Sequence, residues 1–254
     1  MVTNKELKQF KINIPRKAVK FVLFQRTQYL FFRRNVVVQK IITFLPKRIA
    51  WALESLFSYF NSTVSIEAML TKKKVENLFS MEMNNEYESM KQYLPVNANS
   101  ILDIGCGVAG IDIFLSKHYE SPSIYLLDKT EMPNKVYYGL TNKGCYYNSL
   151  DVAKKLLESN GVKSENIYLE EATDNKINFN NKFDLVVSLI SWGFHYPVST
   201  YLDEVYEKLN DKGVLVIDIR KKSEVDGVEE IRKKFGNVGV VYESSGNTRI
   251  VAVK

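Results

Sequence analysis

From residue 100 onward, short apolar runs alternate with amphipathic stretches. The apolar runs cover residues 101–104, 123–127, 166–169, 183–190 and 214–219, lengths typical of buried strands. Between them, apolar residues recur at helical spacing over about 111–118, 148–159, 198–209 and 226–235. Strands that alternate with helices predict a doubly wound α/β domain with a largely parallel sheet.

The chain ends in a different pattern. Residues 238–242 and 250–253 are two apolar runs, and Ser244–Asn247 between them is a turn of hairpin length. The last strand is therefore predicted to run antiparallel to its neighbours.

The first 95 residues are predicted to form a helical extension in front of a domain over 96–254. Residues 16–45 read as a helix with apolar positions on most sides, Pro46 breaks it, and 61–94 read as a further helix that Pro95 ends. Charged residues interrupt every apolar stretch, so no run approaches the roughly 20 apolar residues of a spanning helix. The pattern of a secretory signal peptide is also missing.

Charge is distributed unevenly along the chain. Residues 1–50 hold 12 of the 35 Lys and Arg but one of the 29 acids, and the remainder is net acidic. Basic residues among bulky aromatics suit an anionic membrane surface, which residues 1–60 would contact. Two alternatives remain: packing on the domain or on a second subunit in an oligomer, and nucleic acid, the least favoured because no binding motif is present.

Two cysteines and two histidines exclude a disulfide framework and a Cys/His zinc cluster, and no acidic cluster indicates another metal. A reducing, cytoplasmic compartment is expected, at the inner membrane face if the basic segment binds lipid.

Residues 101–110 read ILDIGCGVAG, so Gly105, Gly107 and Gly110 match the G-x-G-x-x-G pattern of nucleotide-binding turns. Asp128 ends the next strand, where a carboxylate can accept hydrogen bonds from ribose hydroxyls. Asp103 lies two residues before the first glycine. A carboxylate there suits a cationic ligand such as the amino group of a methionine moiety better than it suits a nicotinamide nucleotide.

Four segments together resemble the class I S-adenosylmethionine-dependent methyltransferases. They are LDIGCG (102–107), YLLD (125–128), FDLVVS (183–188) and LNDKGVLV (209–216), and the resemblance covers about residues 85–254. It implies a seven-stranded mixed sheet whose last strand is antiparallel and lies beside the fifth, and S-adenosylmethionine as the cofactor.

The resemblance also implies a cofactor site. Its residues would be Asp103, Gly105, Cys106, Gly107, Asp128, Lys129, Ala172, Thr173 and Leu189. Segment 171–174 would lie beside the adenine, with Glu171 and Asp174 as alternative partners for its amino group. Cys106 is read as a small filler rather than a nucleophile, because no base accompanies it.

His195 is the candidate general base, because it follows the fourth strand, at the edge of the sheet where ligands bind. Segment 191–196 is loosely similar to bacterial sugar O-methyltransferases. The tyrosine-rich stretch 129–147 is longer than an ordinary strand–helix connection, so we read it either as a substrate lid or as an insertion packed on the N-terminal helices.

The expected activity is methyl transfer to a hydroxyl of a small molecule, sugar or glycolipid. Three alternatives remain: N-methylation of a small amine or protein, a non-catalytic partner protein that binds the cofactor, and a nicotinamide dehydrogenase. The acceptor, the methylated atom and the oligomeric state are not determined by the sequence.

Overall fold

The computed structural model describes residues 10–30, 44–49, 61–131, 147–173, 175–221 and 226–254. Within these ranges the chain forms one mixed sheet with helices on both faces. The strands are β1 Ser100–Ile104, β2 Ser123–Asp128, β3 Ile167–Glu171, β4 Phe183–Ser188, β5 Ser191–Tyr196, β6 Leu209–Arg220, β7 Val238–Glu243 and β8 Asn247–Val253.

Seven of these strands form the sheet, in the order β3-β2-β1-β4-β6-β8-β7. Neighbours from β3 to β6 are parallel, whereas β8 is antiparallel to both β6 and β7. This confirms the predicted α/β class, the terminal hairpin and the antiparallel last strand. That strand lies beside β6, the fifth strand of the sheet in chain order.

The α-helices whose bounds lie within the described ranges are α1 Arg16–Gln25, α2 Asn61–Met90, α3 Gly110–His118, α4 Leu150–Glu158, α5 Leu202–Lys208 and α6 Gly227–Phe235. Helices α1 to α4 cover one face of the sheet, and α5 and α6 cover the other. Alternation along β1 shows the two faces: Ile101 packs with the first group, and Leu102 and Ile104 pack with the second. Asp103 therefore points to the same face as Ile101.

The two N-terminal helices share their core with the sheet. Val22 of α1 and Val75 of α2 are fully buried in the same hydrophobic cluster as Ile101. Packing of α1 and α2 on the domain is thus observed for the described part of the extension. The boundary near residue 95 stays a prediction.

The predicted helix over 16–45 is wrong in its length. It ends at Gln25, because Arg26 leaves the helical region at φ −125 and ψ 64. A 3-10 turn, Thr27–Tyr29, follows and buries Tyr29, whose hydroxyl donates to Glu82 of α2. Tertiary packing therefore decides where this helix stops, and residues 31–43 lie outside the described ranges.

The segment after β4 was also predicted incorrectly. The fourth strand ends at Ser188 rather than residue 190, and 191–196 forms a further strand, β5, that was not predicted. Strand β5 packs against the end of β6, where Gly193 lies against Ile217, Asp218 and Ile219. Trp192 is fully buried, and its indole N–H donates to the carbonyl of Val198 at 2.9 Å.

Among the described residues, no helix has the length and apolar character needed to cross a bilayer.

Candidate functional site

The turn after β1 brings the backbone into an unusual conformation. Gly105 and Gly107 have φ of 74 and 56, in the left-handed region that glycine adopts without strain. The amide of Gly105 donates to the carbonyl of Leu127 at 2.7 Å, which joins the turn to the end of β2. Helix α3 begins at Gly110, so the motif forms the predicted strand–turn–helix.

Asp128, at the end of β2, holds this turn. One carboxylate oxygen accepts the Gly107 N–H at 2.7 Å, and the other accepts the Lys129 N–H at 2.6 Å. Burial raises the pKa of Asp128 to about 6, although these two N–H groups lower it. Each carboxylate oxygen has two acceptor positions, so Asp128 keeps capacity for ligand hydroxyls.

Asp103 and Asp112 form a buried pair of carboxyl groups beneath the turn. Asp103 is 3% exposed and Asp112, in the first turn of α3, is 0% exposed. Burial and the neighbouring Asp112 raise the pKa of Asp103, and burial raises that of Asp112 to about 6. Within the described residues, neither oxygen of Asp112 has a hydrogen-bond donor outside this pair. A proton shared between the two carboxyl groups would satisfy both.

Two cavities lie on either side of Gly105. The first, which we call the Asp128 cavity, is partly open to solvent. It brings together the predicted residues Gly105, Asp128, Lys129 and Ala172. Its remaining lining is Ile104, Leu127, Asn175, Ser191, Trp192, Tyr196 and Tyr201.

The second cavity, which we call the Asp103 cavity, is also partly open to solvent. It brings together the predicted residues Asp103, Gly105, Cys106 and Leu189. The N-terminal helices and the segment after α1 supply much of the rest, namely Gln25, Arg26, Phe79, Met83 and Glu86. Val108, Gly110, Ile111 and Ile190 complete the lining.

The remaining predicted cofactor residues lie close to the cavities. Gly107 is held by Asp128 and covered by Gln25, whose Oε1 would be 2.7 Å from a Cβ at that position. Thr173 follows Ala172 and its carbonyl accepts the Lys176 N–H. Glu171 accepts the Thr130 N–H, and Asp174 lies outside the described residues, so the choice between them stays open.

Cys106 is buried, and burial raises the pKa of its thiol well above the ordinary value, which disfavours the thiolate.

His195 lies on β5, in the same strand as Ser191 and Tyr196, which line the Asp128 cavity. His195 itself is not among the lining residues of that cavity. Burial lowers its pKa, and the Arg220 cation lowers it further. Within the described residues its buried Nδ1 has no hydrogen-bond partner. Its role as a base stays a prediction.

The stretch 129–147 is described only at its ends, so Tyr137, Tyr138 and Tyr146 lie outside the described residues. Tyr147 is buried and stacks on Phe24 of α1, with ring centroids 5.2 Å apart. The end of the stretch therefore packs on an N-terminal helix. This agrees, for Tyr147, with the interpretation of the stretch as an insertion packed on the N-terminal helices.

Sequence reasoning missed two polar residues here. Gln25 accepts the Val108 N–H at 3.3 Å and donates to the Tyr147 carbonyl at 3.0 Å. Asn148 is 4% exposed and lies close enough to Cys106 and Asp128 to lower the pKa of both. Neither belongs to a local motif, so only the folded arrangement reveals them.

Comparison with known proteins now adds to this geometry. A candidate O-methyltransferase from Nostoc punctiforme superposes with a TM-score of 0.52 at 13% identity, over 92% of this chain and 72% of that one. The chain has the class I methyltransferase fold. The sheet order and the antiparallel β8 agree with this fold, and so does the strand–turn–helix at Gly105.

Two further solved structures superpose on a smaller part of this chain. A candidate methyltransferase from Bacillus halodurans is 20% identical, with a TM-score of 0.40 over 55% of this chain and 52% of that one. The T. thermophilus 16S rRNA N2 methyltransferase, in complex with AdoMet and guanosine, is 14% identical, with a TM-score of 0.48 over 68% and 42%. The chain thus spans about half the length of these two proteins. No protein-family model and no curated protein sequence matches it.

Proposed function

We propose that this protein is an S-adenosylmethionine-dependent methyltransferase that methylates a hydroxyl of a small molecule, sugar or glycolipid. One observation carries the proposal: the buried Asp103 and the strand-end Asp128 lie beside one glycine turn, and each lines a cavity that reaches Gly105. The glycine turn and Asp128 follow the carboxyl ends of β1 and β2. Ligands of open α/β sheets bind outside these strand ends.

The two carboxyl groups suit different parts of the cofactor. Asp128 would accept hydrogen bonds from the ribose hydroxyls, beside Lys129 and Ala172, with Thr173 next to them on the adenine side. Asp103 would face the ammonium of the methionine part. Within the described residues Asp103 pairs with no cation, so a cationic ligand would compensate its charge and relieve its repulsion with Asp112.

When bound, the cofactor supplies a methyl group on a positively charged sulfur. The acceptor oxygen forms the new C–O bond as the C–S bond breaks, and the hydroxyl proton must leave. His195 stays the candidate base for that proton: it precedes the cavity-lining Tyr196 on β5, and its lowered pKa favours the neutral form at pH 7. Positioning supplies the remaining acceleration, because an in-line displacement needs the acceptor held behind the methyl carbon.

The residues of the Asp128 cavity that the proposed cofactor contacts do not use favour a polyol or sugar acceptor. Tyr196 and Tyr201 offer aromatic surfaces, and Asn175 and Ser191 offer polar groups, whereas Trp192 is fully buried. Aromatic faces pack on the apolar faces of a sugar, and the polar groups can bond its hydroxyls.

The cofactor and the chemistry are tested together. Calorimetry with S-adenosylhomocysteine should show binding, and incubation with labelled S-adenosylmethionine and polyol, sugar and amine acceptors should show label in a hydroxyl compound. Label only in amines would favour the N-methyltransferase. Binding without transfer to any acceptor would favour the partner protein, and absence of binding would reject the proposal.

We also propose that the basic N-terminal segment attaches the protein to an anionic membrane face. The proposal rests on the charge of residues 1–50, most of which stays outside the packed helix α1. Deleting the segment would remove core residues such as Val22, so point changes are the better test. Full-length protein and its Arg33→Gln/Arg34→Gln/Lys40→Gln variant should be compared by flotation with anionic and neutral vesicles. Equal flotation of both would reject the attachment.

A further inference from the structure

The Asp103 cavity contains charges that the proposed cofactor role of Asp103 does not use. Arg26 is the one cationic side chain that lines it among the described residues, and it comes from the end of α1, 77 positions before Asp103. Glu86 also lines the cavity, and it shares the buried Arg249 with Asp218. Among the described lining residues, the cavity therefore presents one cation, Arg26, whose Nε is paired with Glu82, and one carboxyl group without a cationic partner, Asp103.

We infer that Arg26 binds the carboxylate of the cofactor's amino-acid part, so that the N-terminal segment completes the cofactor site. The inference rests on the proposed function and extends it. The amino-acid end of S-adenosylmethionine is a zwitterion, and a cavity lined by both Asp103 and Arg26 offers a partner for each of its charges.

The end of α1 is fixed where this role requires it. Gln25, next to Arg26, accepts the Val108 N–H of the glycine turn and donates to the Tyr147 carbonyl. Its amide lies against Gly107, where a Cβ would be 2.7 Å from Oε1. Gln25 is thus a positioning residue that joins α1 to the turn.

Arg26 already has one partner, and that partner leaves most of the guanidinium available. Its Nε donates to Glu82 at 2.5 Å, and one terminal nitrogen reaches the Gln25 carbonyl at 3.4 Å. A guanidinium has five N–H donors, so a ligand carboxylate can be bound beside these contacts. The side chains of Arg26 and Glu82 are 26% and 29% exposed, which leaves Arg26 accessible from the cavity.

Two ligands separate this inference from the proposed function. S-adenosylhomocysteine carries the amino-acid part, and 5′-methylthioadenosine carries the same nucleoside without it. Calorimetry should show that Arg26→Gln weakens S-adenosylhomocysteine at least about tenfold and leaves methylthioadenosine within about twofold. Equal effects on both ligands, or no effect on either, would overturn the inference and leave the proposed function intact. If the wild type binds neither ligand, the proposed function fails and the inference falls with it.

Matched variants control for the lost ion pair. Glu82→Gln removes the negative charge of the Arg26–Glu82 pair but keeps the cation. Gln28→Ala removes another hydrogen bond to Glu82, from a residue that does not line the cavity. Both should retain S-adenosylhomocysteine affinity, and a loss as large as that of Arg26→Gln would overturn the inference. The wild type gives a check that needs no variant: decarboxylated S-adenosylhomocysteine should bind at least about tenfold more weakly, and equal binding would overturn it too.

Discussion

Ser191 packs directly on Gly105: a Cβ at Gly105 would be 1.7 Å from the Oγ of Ser191. The first residue of β5 thus closes on the glycine turn, and both residues line the Asp128 cavity. This contact joins the end of β1 to a strand that the sequence did not predict.

Gly105→Ala is expected to weaken S-adenosylhomocysteine binding by more than about tenfold. The new methyl group would displace Ser191, and alanine at φ 74 adds strain of roughly 1–2 kcal/mol. Gly161→Ala is the matched control, because Gly161 has φ 95 but nothing within 4 Å of its added Cβ. It should lower the thermal midpoint without changing the dissociation constant. Equal affinity of both variants would contradict the role of Gly105.

Cofactor affinity is expected to depend on the ionisation of Asp128. Its pKa is raised to about 6 in the free protein. The carboxylate can accept hydrogen bonds from both ribose hydroxyls, whereas the protonated acid would first have to lose its proton. Binding should therefore weaken as pH falls through 6, by up to about tenfold per pH unit for one coupled proton. Calorimetry of 5′-methylthioadenosine between pH 5 and 8 checks this, because that ligand leaves out the amino-acid part. Asp128→Asn should bind weakly at every pH, and a wild-type affinity that is flat over this range would contradict the prediction.

Asp112→Asn is expected to stabilise the protein at pH 8. The folded-state pKa of Asp112 is about 6, above the ordinary 3.8, so the folded state binds the proton more tightly than the unfolded state. Stability therefore falls as pH rises from 3.8 through 6, at up to about 1.4 kcal/mol per pH unit. Denaturant unfolding of the variant should show a gain over wild type at pH 8 that disappears near pH 4.

Asp184→Asn gives the control of opposite sign. Hydrogen bonds from Asn210, Asn99 and Ser100 lower the pKa of Asp184 despite partial burial. Its contribution is present at neutral pH and is lost as pH falls through the folded-state pKa, so this variant should be less stable than wild type at pH 8. A gain for both variants would contradict the assignment.

Removal of Arg249 is expected to be strongly destabilising. This residue is 1% exposed, and it donates to both oxygens of the fully buried Asp218 at 2.8 Å. Arg249→Leu leaves Asp218 buried without a partner, at a cost of about 3–5 kcal/mol in unfolding free energy. Adding Asp218→Leu should recover much of that loss. Arg232→Ala, which breaks an exposed pair with Glu229, should cost less than about 1 kcal/mol.

His195→Ala is expected to lower kcat by about 10²–10⁴-fold while the cofactor dissociation constant stays unchanged. The lowered pKa of His195 predicts that activity of the wild type persists below pH 6.5, since the neutral base is still present there. His118→Ala is the control, because that histidine ends α3 and bonds to the hydroxyl of Tyr87 on α2. Full turnover without His195 would exclude it as the base.

Much of the fold was predictable because its signals are local. The apolar runs of β1 and β2 and the glycine spacing at Gly105 and Gly107 are read from neighbouring residues. The position of Asp128 at a strand end follows from the same pattern. Strand β5 was not predicted, because segment 191–196 follows β4 closely and its packing partner, the end of β6, lies more than 20 residues further along the chain.

The sequence by itself determined the alternation of strands and helices, the antiparallel end and the carboxyl groups at 103 and 128, since each depends on periodicity over a few residues. The tertiary structure alone decided that α1 ends at Gln25 and that the Gln25 side chain accepts the Val108 N–H. It also decided that Arg26 and Asp103 line one cavity and that Asp112 lies against Asp103. Gln25 and Val108 are 83 positions apart. Contacts over such separations are selected by the burial of whole helix faces, and no local pattern of residues encodes them.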